Sequence, residues 1–294
     1  MVQRAALGAM RPDQVGRQGL EAILRPGFLE RAVVRNVGEI TARPILDFEP
    51  DLPVTFYDRV PYDFSDLSEW RSAPMLEAAV DRQPPGQRRL DAGCGAGRNV
   101  PCLLRGAADL VVVDLSIASV SKVAARFPSV VHAARASVLR LPFADASFDL
   151  VTCDGVAHHT PDPAGALREV ARVTRPGGWI YAAVYRAGTP YSYLYRYLGG
   201  PLRAARRLEE RGAPRAVDRL AFAGYRAASR LFKPGRTGDE ASLRSIYEDY
   251  FQTPIASFHA RAWVAETLEA AGAHVEQIEP HQNVWRVLAR RAGG

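Results

Sequence analysis

The sequence predicts an α/β fold: a Rossmann-like, doubly wound sheet of seven mostly parallel strands, with an N-terminal cap and a helical insertion after the fifth strand. Two observations predict it. A glycine-rich turn at positions 93–97 lies between an apolar strand pattern and the start of a helix. From there to Tyr185, apolar strand patterns alternate with amphipathic helix patterns, as in βαβ units. We therefore expect a nucleotide-like ligand over the first strand-to-helix turn.

The strand patterns are short apolar runs bounded by polar or turn-forming residues. In chain order they cover 88–92, 110–114, 130–134, 148–154, 179–185, 274–279 and 283–289. Helix patterns separate several of them. Pro163 suits the first turn of a helix at 163–174, and Pro176 with two following glycines ends it. Gly272 closes a further helix at 260–271.

The segment before the first strand contains weaker patterns. We expect a short helix near 27–36, an extended piece near 44–53 and a helix over 66–80 that ends before Pro84. The chain then divides into an N-terminal extension or cap (1–60), a core (61–185), a helical insertion (186–252) and the remainder of the core (253–294). The first part could equally be a partly ordered tail.

The glycine-rich turn reads Asp91-Ala-Gly-Cys-Gly-Ala-Gly97. Glycine lets the backbone turn sharply and lets a ligand approach without meeting a Cβ atom. The helix that follows exposes its first N–H groups to that ligand. A dinucleotide fingerprint would place its third glycine at position 98, which is Arg98. This spacing favours a nucleoside ligand other than NAD.

An acid stands at the end of the second strand pattern. Asp114 follows Leu110–Val113 and lies 21 positions after Gly93, the spacing at which such an acid reaches ribose hydroxyls. A carboxylate accepts both hydroxyl hydrogens, which neutral side chains imitate poorly. Leu115 would offer an apolar surface to the base of the nucleoside.

Five segments in order resemble the motifs of class I S-adenosylmethionine-dependent methyltransferases. They are Asp91–Gly97, Val111–Ser116, Leu141–Asp149, Gly155–His159 and Glu169–Gly178. The resemblance covers about residues 88 to 185. It implies S-adenosylmethionine as cofactor, S-adenosylhomocysteine as product, methyl transfer as the reaction and an antiparallel seventh strand.

The resemblance also implies roles for individual residues. Asp91 would lie near the amino group of the cofactor, although an acid at a strand end can also simply cap the turn. Ser137 stands where many relatives carry an aspartate for the adenine amino group, and its hydroxyl can accept that hydrogen too. The cofactor-binding residues expected on this basis are Asp91, Gly93, Cys94, Gly95, Gly97, Asp114, Leu115, Ser137, Val138 and Asp154.

Three residues before the first strand are further candidates. In proteins that this chain resembles, aromatic residues and an arginine in this segment close over the methionine end of the cofactor. Tyr57, Tyr62 and Arg71 match that description. Each could instead make ordinary packing or surface contacts.

His158 and His159 follow the fourth strand, at the sheet edge where such folds place their chemistry. A hydroxyl or protonated amine acceptor has to lose a proton, and imidazole titrates near neutral pH. We expect His158 as the base ahead of His159, with Asp154 a minor candidate. A structural or cofactor-side role for the pair is the alternative.

The insertion at 186–252 combines a tyrosine cluster with two helix patterns near 201–211 and 214–232. The tyrosines are Tyr191, Tyr193, Tyr195 and Tyr197. Insertions here commonly cover the acceptor pocket, so the tyrosines could line an aromatic substrate site and the arginines could hold a carboxylate or phosphate. A packed lid or a homodimer contact is equally compatible with the pattern.

Composition narrows the function classes. The formal charge is +6, but the 38 Lys and Arg residues include only two lysines and are interleaved with acids, which does not favour nucleic acid. Three cysteines without a Cys-x-x-Cys pair support neither a disulfide framework nor a zinc site, and no metal is expected. We find no signal-peptide or membrane-spanning run, and expect a cytoplasmic protein.

The sequence therefore predicts methyl transfer from S-adenosylmethionine to an oxygen or nitrogen atom of a small organic acceptor, in specialised metabolism. Two alternatives stay open. One is a nucleic-acid methyltransferase whose arginine-rich insertion grips phosphates. The other is a cofactor-binding protein of this fold that does not methylate, or that uses the sulfonium for another reaction.

Overall fold

The computed structural model describes residues 23–28, 32–35, 45–53, 55–59, 72–127, 131–212, 216–232 and 240–293. Within them, nine strands form one sheet in the order β1-β2-β5-β4-β3-β6-β7-β9-β8. The strands are β1 (Val33–Arg35), β2 (Ile45–Asp47), β3 (Gln87–Ala92), β4 (Ala107–Asp114), β5 (Val131–Arg135), β6 (Phe148–Asp154), β7 (Thr174–Tyr185), β8 (Ala273–His281) and β9 (Val284–Arg291).

The central strands β5, β4, β3, β6 and β7 are parallel, and β9 runs antiparallel to both of its neighbours. Their middle residues are buried on both faces, as Leu110–Val113 of β4 illustrates. Because helices cover both faces of a parallel sheet, a strand such as β4 contains a continuous apolar run, whereas β3 also buries the polar residues Arg89 and Asp91. The carboxyl ends of these strands lie along one edge.

The seven predicted strands are present, and the N-terminal segment adds two more. β1 pairs antiparallel with β2, and β2 pairs parallel with β5, so these two strands extend the edge of the sheet. The helix expected near 27–36 is therefore wrong over Val33–Arg35. The consecutive valines Val33 and Val34 favour a strand, which pairs with Ile45–Asp47.

Helices flank the sheet and build the insertion. They are α1 (Phe56–Arg59), α2 (Pro74–Asp81), α3 (Val100–Leu103), α4 (Ile117–Arg126), α5 (Pro163–Val173), α6 (Pro190–Leu194), α7 (Gly200–Glu210), α8 (Ala216–Phe232), α9 (Glu240–Tyr247) and α10 (Arg261–Ala270). A 3₁₀ turn covers Ala157–His159, and π-helical segments cover Tyr195–Gly199 and Glu248–Gln252. Among the described residues, no helix is both long and apolar enough to cross a membrane.

The helix predicted over 66–80 begins later than expected. Ser72 and Ala73 are not helical, and α2 starts at Pro74. Proline disfavours helical backbone in the residue before it and is well accommodated in the first helical turn, so Pro74 sets this boundary. The part of the prediction at 66–71 lies outside the described residues.

The insertion is held together by a charged cluster under its helices. The guanidinium of Arg244 on α9 contacts Asp218 of α8 at 2.5 Å and also pairs with Glu248. Arg206 of α7 contacts the same Glu248 carboxylate at 3.2 Å. Because both acids are nearly buried, these pairs fix the relative positions of three helices and of the π-helical segment that follows α9.

Candidate functional site

A cavity of about 1050 Å³ opens at the carboxyl ends of the central strands. One end lies over the glycine-rich turn and the ends of β3 and β4. The other lies between the 3₁₀ turn, the insertion and the β8–β9 turn. Its walls include Tyr57, Gly93, Cys94, Gly95, Arg98, Asp114, Leu115, Ser137, Val138, Asp154, His158, His159, Tyr185, Asp249, Tyr250, Asn283 and Arg286.

Two glycines of the turn have conformations that favour glycine. Gly93 has φ +89°, and a Cβ atom there would lie 2.1 Å from Cγ2 of Val156, so this position packs against the wall that follows β6. Gly95 has φ +50°, and a Cβ atom there would meet nothing within 4 Å. Gly93 thus allows close packing, while Gly95 presents bare backbone at the cavity.

Asp114 joins the glycine-rich turn to the end of β4. Its Oδ2 accepts a hydrogen bond of 2.9 Å from the backbone N–H of Gly95, and its Oδ1 accepts one of 2.8 Å from Ser116. Burial raises the pKa of the carboxyl above its ordinary value, and these backbone hydrogen bonds act in the opposite direction. Each oxygen keeps a further lone pair that can accept a ligand hydroxyl.

Asp91 lies beneath the turn, and the cavity walls do not include it. Its Oδ1 accepts a hydrogen bond of 2.6 Å from the hydroxyl of Thr152, and its Oδ2 has no hydrogen-bond partner among the described residues. Burial raises the pKa of this carboxyl to about 7. Gly97 likewise lies behind the turn, where a Cβ atom would come within 3.0 Å of Val123.

The predicted adenine-side residues line the same end of the cavity as Asp114. Leu115, Ser137 and Val138 contribute to its walls. The hydroxyl of Ser137 accepts a weak hydrogen bond of 3.3 Å from the backbone N–H of Leu139, which leaves its own hydrogen available as a donor.

Asp154 ends β6 between the two halves of the cavity. Its carboxylate pairs with the guanidinium of Arg98 and accepts a hydrogen bond of 3.2 Å from the side-chain amide of Asn99. The sequence identified Asp154 but not these two partners. With its charge already compensated, Asp154 is less suited to proton abstraction than a free carboxylate.

His158 is buried, and its ring stacks on Tyr185 with the centroids 3.7 Å apart. Its Nδ1 accepts a hydrogen bond of 3.2 Å from the backbone N–H of Tyr185. In a neutral imidazole the remaining nitrogen, Nε2, then carries the hydrogen. Burial, together with the nearby His159 and His259, lowers the pKa of His158 well below its ordinary value.

His159 has the opposite arrangement. Its Nδ1 lies 2.9 Å from the carbonyl oxygen of Ile255, which can only accept, so Nδ1 carries the hydrogen. The lone pair of a neutral ring is then on Nε2, which lies 3.9 Å from Oδ1 of Asp249. Burial lowers the pKa of His159, and Asp249 raises it in part. This geometry favours His159 over His158 as the base, the reverse of the sequence-based order.

Tyr57 on α1 contributes to the same half of the cavity. Its ring meets that of His159 edge to face, with centroids 6.1 Å apart. Burial, reinforced by Asp249 and Asp114, raises the pKa of its phenol well above the ordinary value, so the phenol stays protonated. Tyr62 and Arg71, the other two candidates of this segment, lie outside the described residues.

Several wall residues were not anticipated from the sequence. Asp249 and Tyr250 come from the π-helical segment after α9, and Asn283 comes from the β8–β9 turn. The side-chain amide of Asn283 donates a hydrogen bond of 3.4 Å to the hydroxyl of Tyr250, which ties the turn to the insertion. Arg286 on β9 completes this wall. None of these four residues belongs to a local sequence motif from which a role in the site could have been predicted.

The residues present fit S-adenosylmethionine. The unpartnered Oδ2 of Asp91 lies under a turn whose backbone is bare at Gly95, and the carboxylate of Asp114 stands beside it. A surface free of side chains and an acceptor for two hydroxyls are what the ribose part of this cofactor needs.

Comparisons with known proteins agree with this fit. Residues 90–182 match the family described as "Methyltransferase domain". A demethylmenaquinone methyltransferase of Renibacterium salmoninarum is 32% identical over 52% of this chain and 68% of its own length. The chain belongs to the class I S-adenosylmethionine-dependent methyltransferases. The cofactor predicted from the sequence is thus the cofactor of its family.

Other relatives match over shorter stretches. A ubiquinone biosynthesis O-methyltransferase of Paracidovorax citrulli is 34% identical over 37% of this methyltransferase chain and 48% of its own length, so the chain spans about half of that relative. A solved S-adenosylmethionine-dependent methyltransferase from Mesorhizobium loti superposes with a TM-score of 0.49 at 19% identity, over 74% of this chain and 96% of that one.

Proposed function

We propose that this protein transfers the methyl group of S-adenosylmethionine to an oxygen or nitrogen atom of a small organic acceptor. The observation that carries the proposal is one cavity lined both by Asp114, at the end of β4, and by His159, beyond the end of β6. A cofactor held beside Asp114 would direct its reacting carbon toward His159. The setting in specialised metabolism stays a prediction from the sequence.

The cofactor end provides binding and orientation. Asp114 would accept hydrogen bonds from the ribose hydroxyls, and Leu115 and Val138 would cover the adenine. When bound, S-adenosylmethionine supplies an electrophilic methyl group on a sulfonium centre. Much of the rate enhancement of such a displacement comes from holding the acceptor atom on the line of attack.

The acceptor end provides enclosure and a base. The rings of Tyr57, Tyr185 and Tyr250 form its walls with His159, and this surface suits a flat, aromatic molecule. Nε2 of His159 would take the proton that a hydroxyl or ammonium acceptor has to lose. In this account the insertion is a wall of the acceptor site. The name of the O-methyltransferase relative supports oxygen as the acceptor atom.

The alternative of a nucleic-acid methyltransferase needs free cations on the insertion. Three arginines of the insertion are paired within it: Arg206 with Glu248, Arg226 with Glu240 at 3.1 Å, and Arg244 with Asp218. A cation whose charge is already compensated adds little to phosphate binding. These three arginines are therefore less suited to hold phosphates.

The proposal is tested by incubating the purified chain with S-adenosylmethionine and a panel of phenols, catechols and amines, with RNA and DNA in parallel. Mass spectrometry then follows S-adenosylhomocysteine and the methylated product. Stoichiometric formation of both with a small acceptor, lost in Asp114→Ala, supports the proposal. Product on nucleic acid alone, or retained cofactor with no methylated product across the panel, would overturn it.

A further inference from the structure

The insertion brings a carboxylate to the histidine at the acceptor end. Asp249 lies in the π-helical segment Glu248–Gln252, and its Oδ1 is 3.9 Å from Nε2 of His159. Both side chains are largely buried, with 17% and 10% of their surface exposed, and both line the cavity. At this distance and burial the charge of Asp249 acts on the ring with little screening.

The orientation of the His159 ring is fixed from its far side. Nδ1 donates to the carbonyl oxygen of Ile255 at 2.9 Å, so Nε2 is turned toward Asp249 and the cavity. The rings of Tyr57 and Tyr185 meet the imidazole edge to face, with centroids 6.1 and 5.3 Å away. Nε2 is therefore the atom through which this ring can exchange a proton with a ligand.

The position of Asp249, like that of the His159 ring, is fixed by contacts with neighbouring residues. Its Oδ2 accepts a hydrogen bond of 3.3 Å from the hydroxyl of Tyr185, at the end of β7. The preceding residue, Glu248, is buried and anchored by Arg206 and Arg244. A π-helical segment replaces the regular helix here, and such segments are frequent at functional sites because they redirect a side chain.

From this geometry we propose that Asp249 is a positioning residue that acts through His159: its carboxylate stabilises the imidazolium that forms when Nε2 takes the proton of the acceptor. The proton of the acceptor's O–H or N–H bond would pass to Nε2 before or while the acceptor oxygen or nitrogen bonds to the methyl carbon. The bond from that carbon to the sulfonium sulfur would break in the same displacement, and its electron pair would leave with S-adenosylhomocysteine. The positive charge then lies beside the Asp249 carboxylate. This inference rests on the proposed function, and it gives the insertion a part in the proton transfer.

The inference also narrows the acceptor class. A dyad of this kind is useful only if the acceptor brings a proton to the site. Phenols, catechols, alcohols and protonated amines do so, whereas tertiary amines and thioethers do not. We therefore expect protic acceptors, held with the hydroxyl or ammonium group within hydrogen-bond distance of Nε2 of His159.

The first test follows the imidazole itself and needs no acceptor. The NMR signals of His159 are titrated with pH in the wild type and in Asp249→Asn, after assignment with His159→Gln. Burial lowers the pKa of His159 and the Asp249 charge raises it, so removing that charge should lower it by about one pH unit or more. Within the part of the chain that the structure describes, the groups facing the ring are Asp249, Tyr57, Tyr185 and His158. Burial raises the pKa of Tyr57 and lowers the pKa of His158, so neither of these two is charged near pH 7.

A second carboxylate beside a histidine supplies the matched control. Oδ1 of Asp109 lies 3.1 Å from Nε2 of His132, at the opposite end of β4 from Asp114. Asp109→Asn should leave the His159 titration unchanged. If Asp249→Asn also leaves it unchanged, while S-adenosylhomocysteine affinity stays within twofold of the wild type, the inference is wrong.

The second test uses an acceptor found in the panel. Asp249→Asn should lower kcat by about tenfold to a hundredfold and leave the acceptor KM within threefold of the wild-type value. It should also move the acidic limb of the kcat–pH profile to lower pH. Asp249→Glu should recover part of the loss. An unchanged kcat–pH profile would contradict the inference and leave methyl transfer intact. Failure of the wild type to methylate any acceptor would instead contradict the proposed function.

Discussion

The backbone N–H of Tyr185 donates a hydrogen bond of 3.2 Å to Nδ1 of His158. This contact occupies the lone pair of a neutral ring, because the other nitrogen then carries the hydrogen. The adjacent His159 has its lone pair on Nε2, toward the cavity. Two neighbouring histidines thus have opposite tautomers, and we assign the structural part to His158 and the proton transfer to His159.

His159→Gln should therefore reduce turnover by about 10² to 10⁴, the usual contribution of a general base, with S-adenosylhomocysteine affinity nearly unchanged. His158→Gln should act mainly on stability, because it disturbs a buried ring packed against Tyr185. Steady-state kinetics, calorimetric titration and thermal melts on the two variants separate these effects. A larger loss of kcat in a stable His158→Gln than in His159→Gln would reverse the assignment.

Gly93→Ala should destabilise the protein by about 2 to 4 kcal/mol. The left-handed backbone costs a non-glycine residue about 1 to 2 kcal/mol, and the added methyl would overlap the side chain of Val156. Gly95→Ala would strain the backbone in the same way, but its methyl group would meet no other atom within 4 Å, so it should destabilise the protein less than Gly93→Ala does. Urea unfolding of both variants gives the comparison. Val156→Ala should recover part of the loss in Gly93→Ala, and no recovery would show that packing is not the cause.

The buried Asp91 should make stability depend on pH. Its pKa is about 7 in the folded chain and near 3.9 when unfolded, so between these values the folded state binds more protons and stability falls as pH rises. From pH 5 to pH 7.5 the wild type should lose about 2 to 3 kcal/mol more than Asp91→Asn. Urea unfolding at the two pH values measures this difference. Parallel pH dependence in both proteins would mean that Asp91 is ionised in the folded chain.

The sequence predicted the parts of the site that lie in continuous local patterns. Asp114 follows the buried apolar run Leu110–Val113, and the glycine-rich turn follows β3, whose last four residues are buried. Each pattern is complete within a few residues. The fold then brings their backbone and carboxylate together at 2.9 Å. The family resemblance covered the same stretch, so the cofactor end was accessible from sequence.

The residues at the acceptor end could not be predicted from local sequence patterns. Asp249 contacts Tyr185 from 64 residues further along the chain, and Asn283 contacts Tyr250 across 33 residues. Nothing near these residues marks them, because only the folded insertion and the β8–β9 turn bring them to the cavity. The order of His158 and His159 likewise depended on the hydrogen bonds of each ring, which sequence patterns do not encode.

We propose that Asp114 and the glycine-rich turn hold the nucleoside part of S-adenosylmethionine. Calorimetric titration with S-adenosylhomocysteine tests it directly, using the wild type, Asp114→Ala and, as a control on the same strand, Asp109→Asn. We predict micromolar binding to the wild type and the control, and binding weaker by about 1.5 to 3 kcal/mol in Asp114→Ala, the usual contribution of hydrogen bonds to a charged group. Equal affinity in a folded Asp114→Ala would contradict the claim.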